Sequence, residues 1–204
     1  FIENSLFADN DSAAIRTLSD RVQGLCSQIL AHKQLSLSEI QIDCDWTKTT
    51  RGAYFYFLSL LKQKKLTVSS TLRLYQYKYR QEAGIAPVDF ATLMCYNMGN
   101  MQNEKAENSI LNLQDLRAYI STQPTYPKAL NIALPIFKWT LLYHKHQFKG
   151  ILYQNPDLTH ENWKQISGTQ YLCTQSYADS LCGLEFNRED VIRVEEISKH
   201  HLAE

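Results

Sequence analysis

The feature that most constrains this chain is a rhythm. Short apolar segments alternate with helical or helix-like segments at a spacing of about 30 residues. The strand-like segments are 1–7, 39–45, 66–75, 88–96 and 129–137, and 66–75 is rich in β-branched residues. Asp11 or Ser12 can cap a helix in which Ile15, Leu18, Val22, Leu25 and Ile29 recur at helical spacing. The segment 39–45 feeds the apolar helical run 54–61, the polar stretch 77–84 reads as a loop or short helix, and Asn108 caps a helix through Ile120. After Gly150 the pattern weakens. There, 159–163 reads as a capped turn of helix and 190–195 as a short strand or a helix start. Alternation of this kind predicts parallel βα units, with the five strands adjacent in chain order. An open doubly wound sheet and a β/α barrel both fit.

Composition narrows the partners. The chain has 204 residues, 44% of them apolar, enough for a single domain over 1–204 with a real core. Lys+Arg and Asp+Glu are both 21, so the electrostatic footprint of a nucleic-acid partner is missing. No apolar run approaches the length of a membrane span. The first residue is Phe1 rather than Met, inside a strand-like segment, which suggests a processed or partial chain. Cys26, Cys44, Cys95, Cys173 and Cys182 show no metal-binding spacing. The first three read as buried small hydrophobes. Cys173 and Cys182 fall in a loop-like region and can pair in an oxidising compartment.

The chemistry concentrates at strand ends. Glu39-Ile-Gln-Ile-Asp43-Cys-Asp45-Trp-Thr47 is a short apolar strand closed by two carboxylates two residues apart. Side chains at i and i+2 of a strand share a face, so Asp43 and Asp45 point the same way. In α/β proteins the C-terminal ends of strands are where ligands bind. No G-x-G-x-x-G and no P-loop follows any strand, so a nucleotide-binding sheet has no support. Polar and aromatic residues gather at successive strand ends instead: Glu3, Asp43 with Asp45, Gln76, Tyr96 with Asn97, and Trp139. That distribution predicts a (β/α)8 TIM-barrel-like fold with its site at the top face.

Asp43-x-Asp45, Met94-x-Tyr96-Asn97 and Ala133-Leu-Pro135-Ile-Phe137 resemble strands four, six and seven of the family-18 chitinase-like glycoside hydrolases, with 68–76 fitting strand five. The resemblance spans roughly 1–140 and lies nearer to bacterial chitinase-like barrels than to true chitinases. It implies that 1–7 is strand three, that the first two strands are absent from this chain, and that 1–204 is the C-terminal portion of a barrel with an irregular part over 151–204. It also implies an oligosaccharide or polysaccharide ligand, no cofactor, and an exported or cell-envelope location, with the missing N-terminal part of the barrel as a further partner. The implied roles are support for Asp43, orientation of the substrate's acetamido group for Asp45, and hydrogen bonding for Tyr96. The family motif continues to a proton-donating Glu, where this chain has Thr47, and the Asp that follows the Tyr is Asn97 here. A threonine hydroxyl cannot act as a general acid near neutral pH.

The expected catalytic set is therefore Asp43, Asp45 and Glu3, with Glu3 standing in for the missing acid. Tyr96, Asn97, Gln76, Trp139 and Arg73 are expected to bind substrate. Each residue also has a structural reading. Asp43 and Asp45 can pair with Arg73 or Arg51, Asp45 can cap the next helix, Glu3 can be a solvated strand end, and Tyr96 and Trp139 can be core aromatics. His144 and His146 lack a third ligand and read as surface residues rather than a metal site. The basic run 62–65 reads as the solvated last turn of a helix. Three functions remain open: a glycan hydrolase, a glycan-binding barrel that lost its acid, and a structural domain of a larger chain.

Overall fold

The computed structural model describes residues 1–9, 11–63, 66–121 and 125–197. The chain divides into two compact units, Phe1–Cys95 with Arg117–Leu134, and Tyr96–Leu116 with Pro135–Glu204. No helix among the described residues is long and apolar enough to cross a membrane.

The first unit is built on a four-stranded parallel sheet in chain order: β1 (Glu39–Ile42), β2 (Thr67–Arg73), β3 (Phe90–Met94) and β4 (Ala129–Ala133). Helix α1 (Ser12–Lys33) precedes β1, and Asp11 starts it by accepting the N–H of Ala13 at 2.9 Å. It ends where Gln34 turns left-handed at φ 53°. Helix α2 (Arg51–Lys62) links β1 to β2 and buries Tyr54, Phe57, Leu58 and Leu61. Short helices α3 (Leu74–Lys78) and α4 (Arg80–Ala83) lead towards β3, and α5 (Leu113–Ile120) comes before β4.

The two faces of this sheet differ in kind. Ile42, Cys44 and Trp46 of β1 and its extension are buried, as are Val68 and Leu72 of β2. The Trp46 ring stacks on Tyr54 of α2 at 5.1 Å, and the Tyr54 hydroxyl lies 2.7 Å from that of Ser70. This is the helix-facing side. The opposite side carries Glu39, Gln41, Asp43 and Asp45, then Ser69, Thr71 and Arg73, in a ladder of polar pairs: Ser69 to Glu39 at 2.6 Å, Gln41 to Thr92 at 2.8 Å and Thr71 to Asp43 at 2.6 Å. A doubly wound sheet buries apolar side chains on both faces, and this polar ladder does not suit a second helix layer.

Four of the five expected parallel strands form, in the expected order. The fifth does not. Residues 1–7 form no strand; Asn4–Phe7 is a 3-10 turn. Phe7 is buried as a plug, with its ring 5.4 Å from Tyr54 and 5.6 Å from Phe57. Burying one such ring is worth about 1.5–3 kcal/mol, which favours the plug over an edge strand. The one ladder-like bond is Ile2 N–H to the Asp43 carbonyl at 2.8 Å. Among the described residues the parallel sheet is open rather than closed. The helix expected from Asn108 begins later, because Asn108 accepts from Ile110 and Leu111 in a tight turn and Asn112 caps α5 through Asp115 N–H.

The second unit corrects the reading of 151–204 as irregular. It carries seven strands among its described residues, and their pairings are antiparallel. A five-stranded sheet has the order β6 (Gln147–Leu152), β5 (Trp139–His144), β11 (Asp190–Glu195), β8 (Gln170–Cys173), β7 (Trp163–Gln165), and β9 (Tyr177–Asp179) pairs with β10 (Leu184–Phe186). Lys145 and His146, at φ 50° and 64°, make the two-residue turn between β5 and β6. Residues 159–163 are turns leading into β7, not helix, and Asp157 caps them by accepting from Thr159. Residues 190–195 settle as a strand.

Candidate functional site

The polar rim of the first unit is assembled where β1 and β2 end. Cys44 and Trp46 turn towards the helices, so Asp43 and Asp45 turn the other way, as the period of a strand requires. Parallel register then sets Thr71 beside Asp43 and Arg73 beside Asp45. Arg73 grips both oxygens of Asp45, Nε to Oδ1 at 2.5 Å and a terminal nitrogen to Oδ2 at 2.7 Å. Each side chain of this pair keeps 42% of its surface exposed. Cys44, between the two carboxylates in sequence, has its thiol pushed up to about 12 by burial first and then by Asp45 and Asp43. It stays a neutral thiol at physiological pH and is inert as a nucleophile.

Gln76 holds this rim in place. It is 2% exposed, accepts the Arg73 N–H at 2.8 Å and donates to the Trp46 carbonyl at 3.0 Å. Its amide joins the chain after Asp45 to the start of α3. The Trp46 indole donates to the Ala83 carbonyl at 2.9 Å and ties the same segment to α4.

The segment around Glu3 is tied near the end of β1 without forming a strand. Ile2 is bonded to the Asp43 carbonyl, and the Asn4 side chain accepts the Thr50 hydroxyl at 2.5 Å. The residues on both sides of Glu3 are thus tied to the end of β1 and the start of α2. Glu3 itself is exposed and accepts the Ser5 hydroxyl at 3.3 Å. Thr47 is a turn residue: its N–H donates to the Thr50 hydroxyl at 2.9 Å, and its own hydroxyl lies 3.0 Å from that of Thr49. Arg51 bonds the Glu82 carbonyl rather than either aspartate.

Tyr96, Asn97 and Trp139 belong to the second unit. Tyr96 and Trp139 flank Phe137, with ring centres 6.1 Å and 5.5 Å from it. Asn97 is exposed and left-handed at φ 53°. The Trp139 indole donates to Glu195 at 2.8 Å. Glu195 also accepts Ser109 N–H at 2.7 Å, the Ser109 hydroxyl at 2.8 Å and Arg193 Nε at 2.7 Å. A Cβ on Gly99 would lie 2.7 Å from Ser109 Cα, so the loop after Tyr96 closes on this anchor only with glycine. Sequence reasoning missed Arg193, Glu195 and Ser109, along with Thr71 and the exposed Tyr75 and Tyr79 on and just after α3.

No group of three or more metal-binding side chains occurs among the described residues. His144 pairs with Asp190 at 2.6 Å and His146 with Glu104 at 2.8 Å. Cys173 and Cys182 are free and buried. In the run 62–65, Lys62 sits in the last turn of α2 and pairs with Asp89, while Lys64 and Lys65 lie outside the described residues.

No protein-family model matches the chain, and no curated protein matches it in sequence. Its fold is similar to that of a candidate sporulation-specific glycosylase, ydhD, from Bacillus subtilis, at 12% identity and a TM-score of 0.55, over 96% of this chain and 67% of that one. It is also similar to the spore cortex-lytic enzyme SleL of Bacillus cereus, at 18% identity and a TM-score of 0.50, over 94% of this chain and 48% of that one. The chain thus shares its fold with these structures and spans about half to two thirds of their length.

Proposed function

We propose that this chain is part of a family-18-like β/α barrel that binds a glycan at the C-terminal rim of β1 and β2 without cleaving it by the usual chitinase mechanism. The observation that carries the reading is the polar face of the parallel sheet, which ends in the Thr71–Asp43 bond and the bidentate Arg73–Asp45 pair. Hydrogen-bonding groups held rigidly at strand ends suit a polyhydroxylated ligand. Thr47, at the acid position of the resembled motif, offers only a hydroxyl engaged in the turn before α2. On this reading Asp43 and Asp45 orient the ligand, Arg73 positions Asp45, and Gln76 positions Arg73.

A second reading, hydrolysis with Glu3 as the acid, draws on the tethering of Ile2 and Asn4 to the same rim. Titration calorimetry with chito-oligosaccharides, followed by product analysis, tests both. Binding without cleavage supports the first reading. Cleavage that is lost in Glu3→Gln establishes the second. If no saccharide binds, the glycan assignment fails.

A further inference from the structure

We propose that the outward face of α3 and its cap, formed by Tyr75, Lys78 and Tyr79, is a subsite for a carboxylate-bearing sugar. This rests on the glycan reading above and adds the charge of the ligand. Leu74, Gln76 and Tyr77 are buried and fix the helix to the unit. Tyr75 and Lys78, three apart on α3, share a face, and the ring of Tyr79, the residue that caps the helix, lies against both of them. Tyr75 is 54% exposed and Tyr79 44%, with ring centres 5.1 Å apart and planes at 46°. An open, angled aromatic pair presents apolar faces to which the C–H face of a pyranose ring can fit. The helix starts from Arg73, the partner of Asp45, so the pair adjoins the rim through two residues of chain.

Lys78 supplies the charge preference. Its ammonium lies 5.7 Å from the Tyr79 ring centre and 5.0 Å from that of Tyr119. Two ring faces hold the cation in place before any ligand arrives. Among the described residues Lys78 has no acidic partner, whereas Lys62, Arg73 and Arg193 each have one. A single preorganised ammonium between sugar-sized aromatic faces matches one sugar carboxylate. A phosphate monoester brings close to two negative charges and would be left half compensated.

The test uses two tetrasaccharides with the same β-1,4 backbone. One is neutral chitotetraose, and the other alternates N-acetylglucosamine with N-acetylmuramic acid, whose lactyl ether adds the carboxylate. Calorimetry should give about fivefold tighter binding of the acidic tetramer at low salt, the size of an exposed ion pair, fading as salt rises. Lys78→Met should abolish that advantage and leave chitotetraose affinity unchanged, and Lys78→Arg should keep it. Tyr75→Ala and Tyr79→Ala should weaken both ligands. Equal affinity for the two tetramers, or an advantage that survives Lys78→Met, overturns the subsite while leaving the glycan reading intact. Binding of neither tetramer removes both.

Discussion

Each unit has an arginine–carboxylate pair, and the two pairs are built in opposite ways. Arg73 and Asp45 come from neighbouring strand ends, meet in a two-pronged grip and stay 42% exposed. Arg193 and Glu195 sit two apart on one strand and are 0% exposed. In the second pair Glu195 also gathers N–H groups from Ser109 and Ile110 and the Trp139 indole, while Arg193 takes the carbonyls of Asn103 and Glu104 and lies over the Tyr143 ring at 5.2 Å. Desolvated and bonded from several sides, with one terminal nitrogen of Arg193 left without a hydrogen-bond partner, the pair acts as a staple that fixes the loop after Tyr96. Half-exposed, the other pair costs little to form, contributes little to stability and keeps its charge accessible at the rim. The same two functional groups therefore serve architecture in one place and, on the proposed reading, recognition in the other, and burial separates the two.

The largest expected effect tests the staple. Glu195→Leu leaves Arg193 buried without its counter-charge and should destabilise the protein by about 3–5 kcal/mol in urea unfolding. Because Trp139 loses its acceptor, its fluorescence maximum should shift as well. A loss no greater than that of an exposed pair would erase the contrast.

Next comes Gln76→Leu. It removes the acceptor of the Arg73 N–H and the donor to the Trp46 carbonyl in a site 2% exposed. Stranding such groups costs roughly 1–3 kcal/mol. The expected result is intermediate destabilisation with a further loss of glycan affinity, since Arg73 would no longer be held against Asp45. Unchanged affinity would mean that Gln76 only supports the fold.

Asp45→Asn should reverse the order of effects. With both partners 42% exposed, the stability cost should stay under about 1 kcal/mol. Glycan binding should drop far more than stability does. A variant that unfolds readily but binds normally would turn the rim into a second staple and collapse the comparison.

These contrasts also explain what could be read in the sequence. The four parallel strands were legible because apolar, β-branched runs alternate with helical periodicity, and the shared face of Asp43 and Asp45 follows from a period of two. Residues 1–7 misled because a short mixed segment carries no period to distinguish a strand from a plug around Phe7. In the second unit β7, β9 and β10 have only three residues each, too few to show alternation. Val191, Arg193 and Glu195 alternate with Ile192 and Val194, which reads as a solvated face. Nothing in the strand itself reveals that Ser109 and Trp139, from distant positions, close over the charges. The outward face of α3 was hidden for the same reason: Tyr75 reads as the end of the strand 66–75 and 77–84 as a loop or short helix, until the burial of Leu74, Gln76 and Tyr77 assigns the faces.

The smallest expected effect concerns a third pair and separates charge from burial by pH. Asp89 accepts Lys62 at 2.7 Å and the Val68 N–H at 2.8 Å, at the opposite end of β2 from Arg73. The hydrogen bond from Lys62, then that from Val68, holds its carboxyl below the ordinary range. A carboxyl whose folded pKa is depressed binds its proton more readily in the unfolded chain. Its contribution is therefore complete above the unfolded pKa and disappears as pH falls through the folded one. Asp89→Asn should be less stable than the parent at neutral pH, by no more than an exposed pair supplies, and the two curves should converge in acid. Unfolding midpoints measured from neutral pH down to about 3 would reveal the convergence. A difference that persists unchanged in acid would mean that Asp89 acts through its backbone contact alone, and that charge at the exposed end of the sheet contributes nothing.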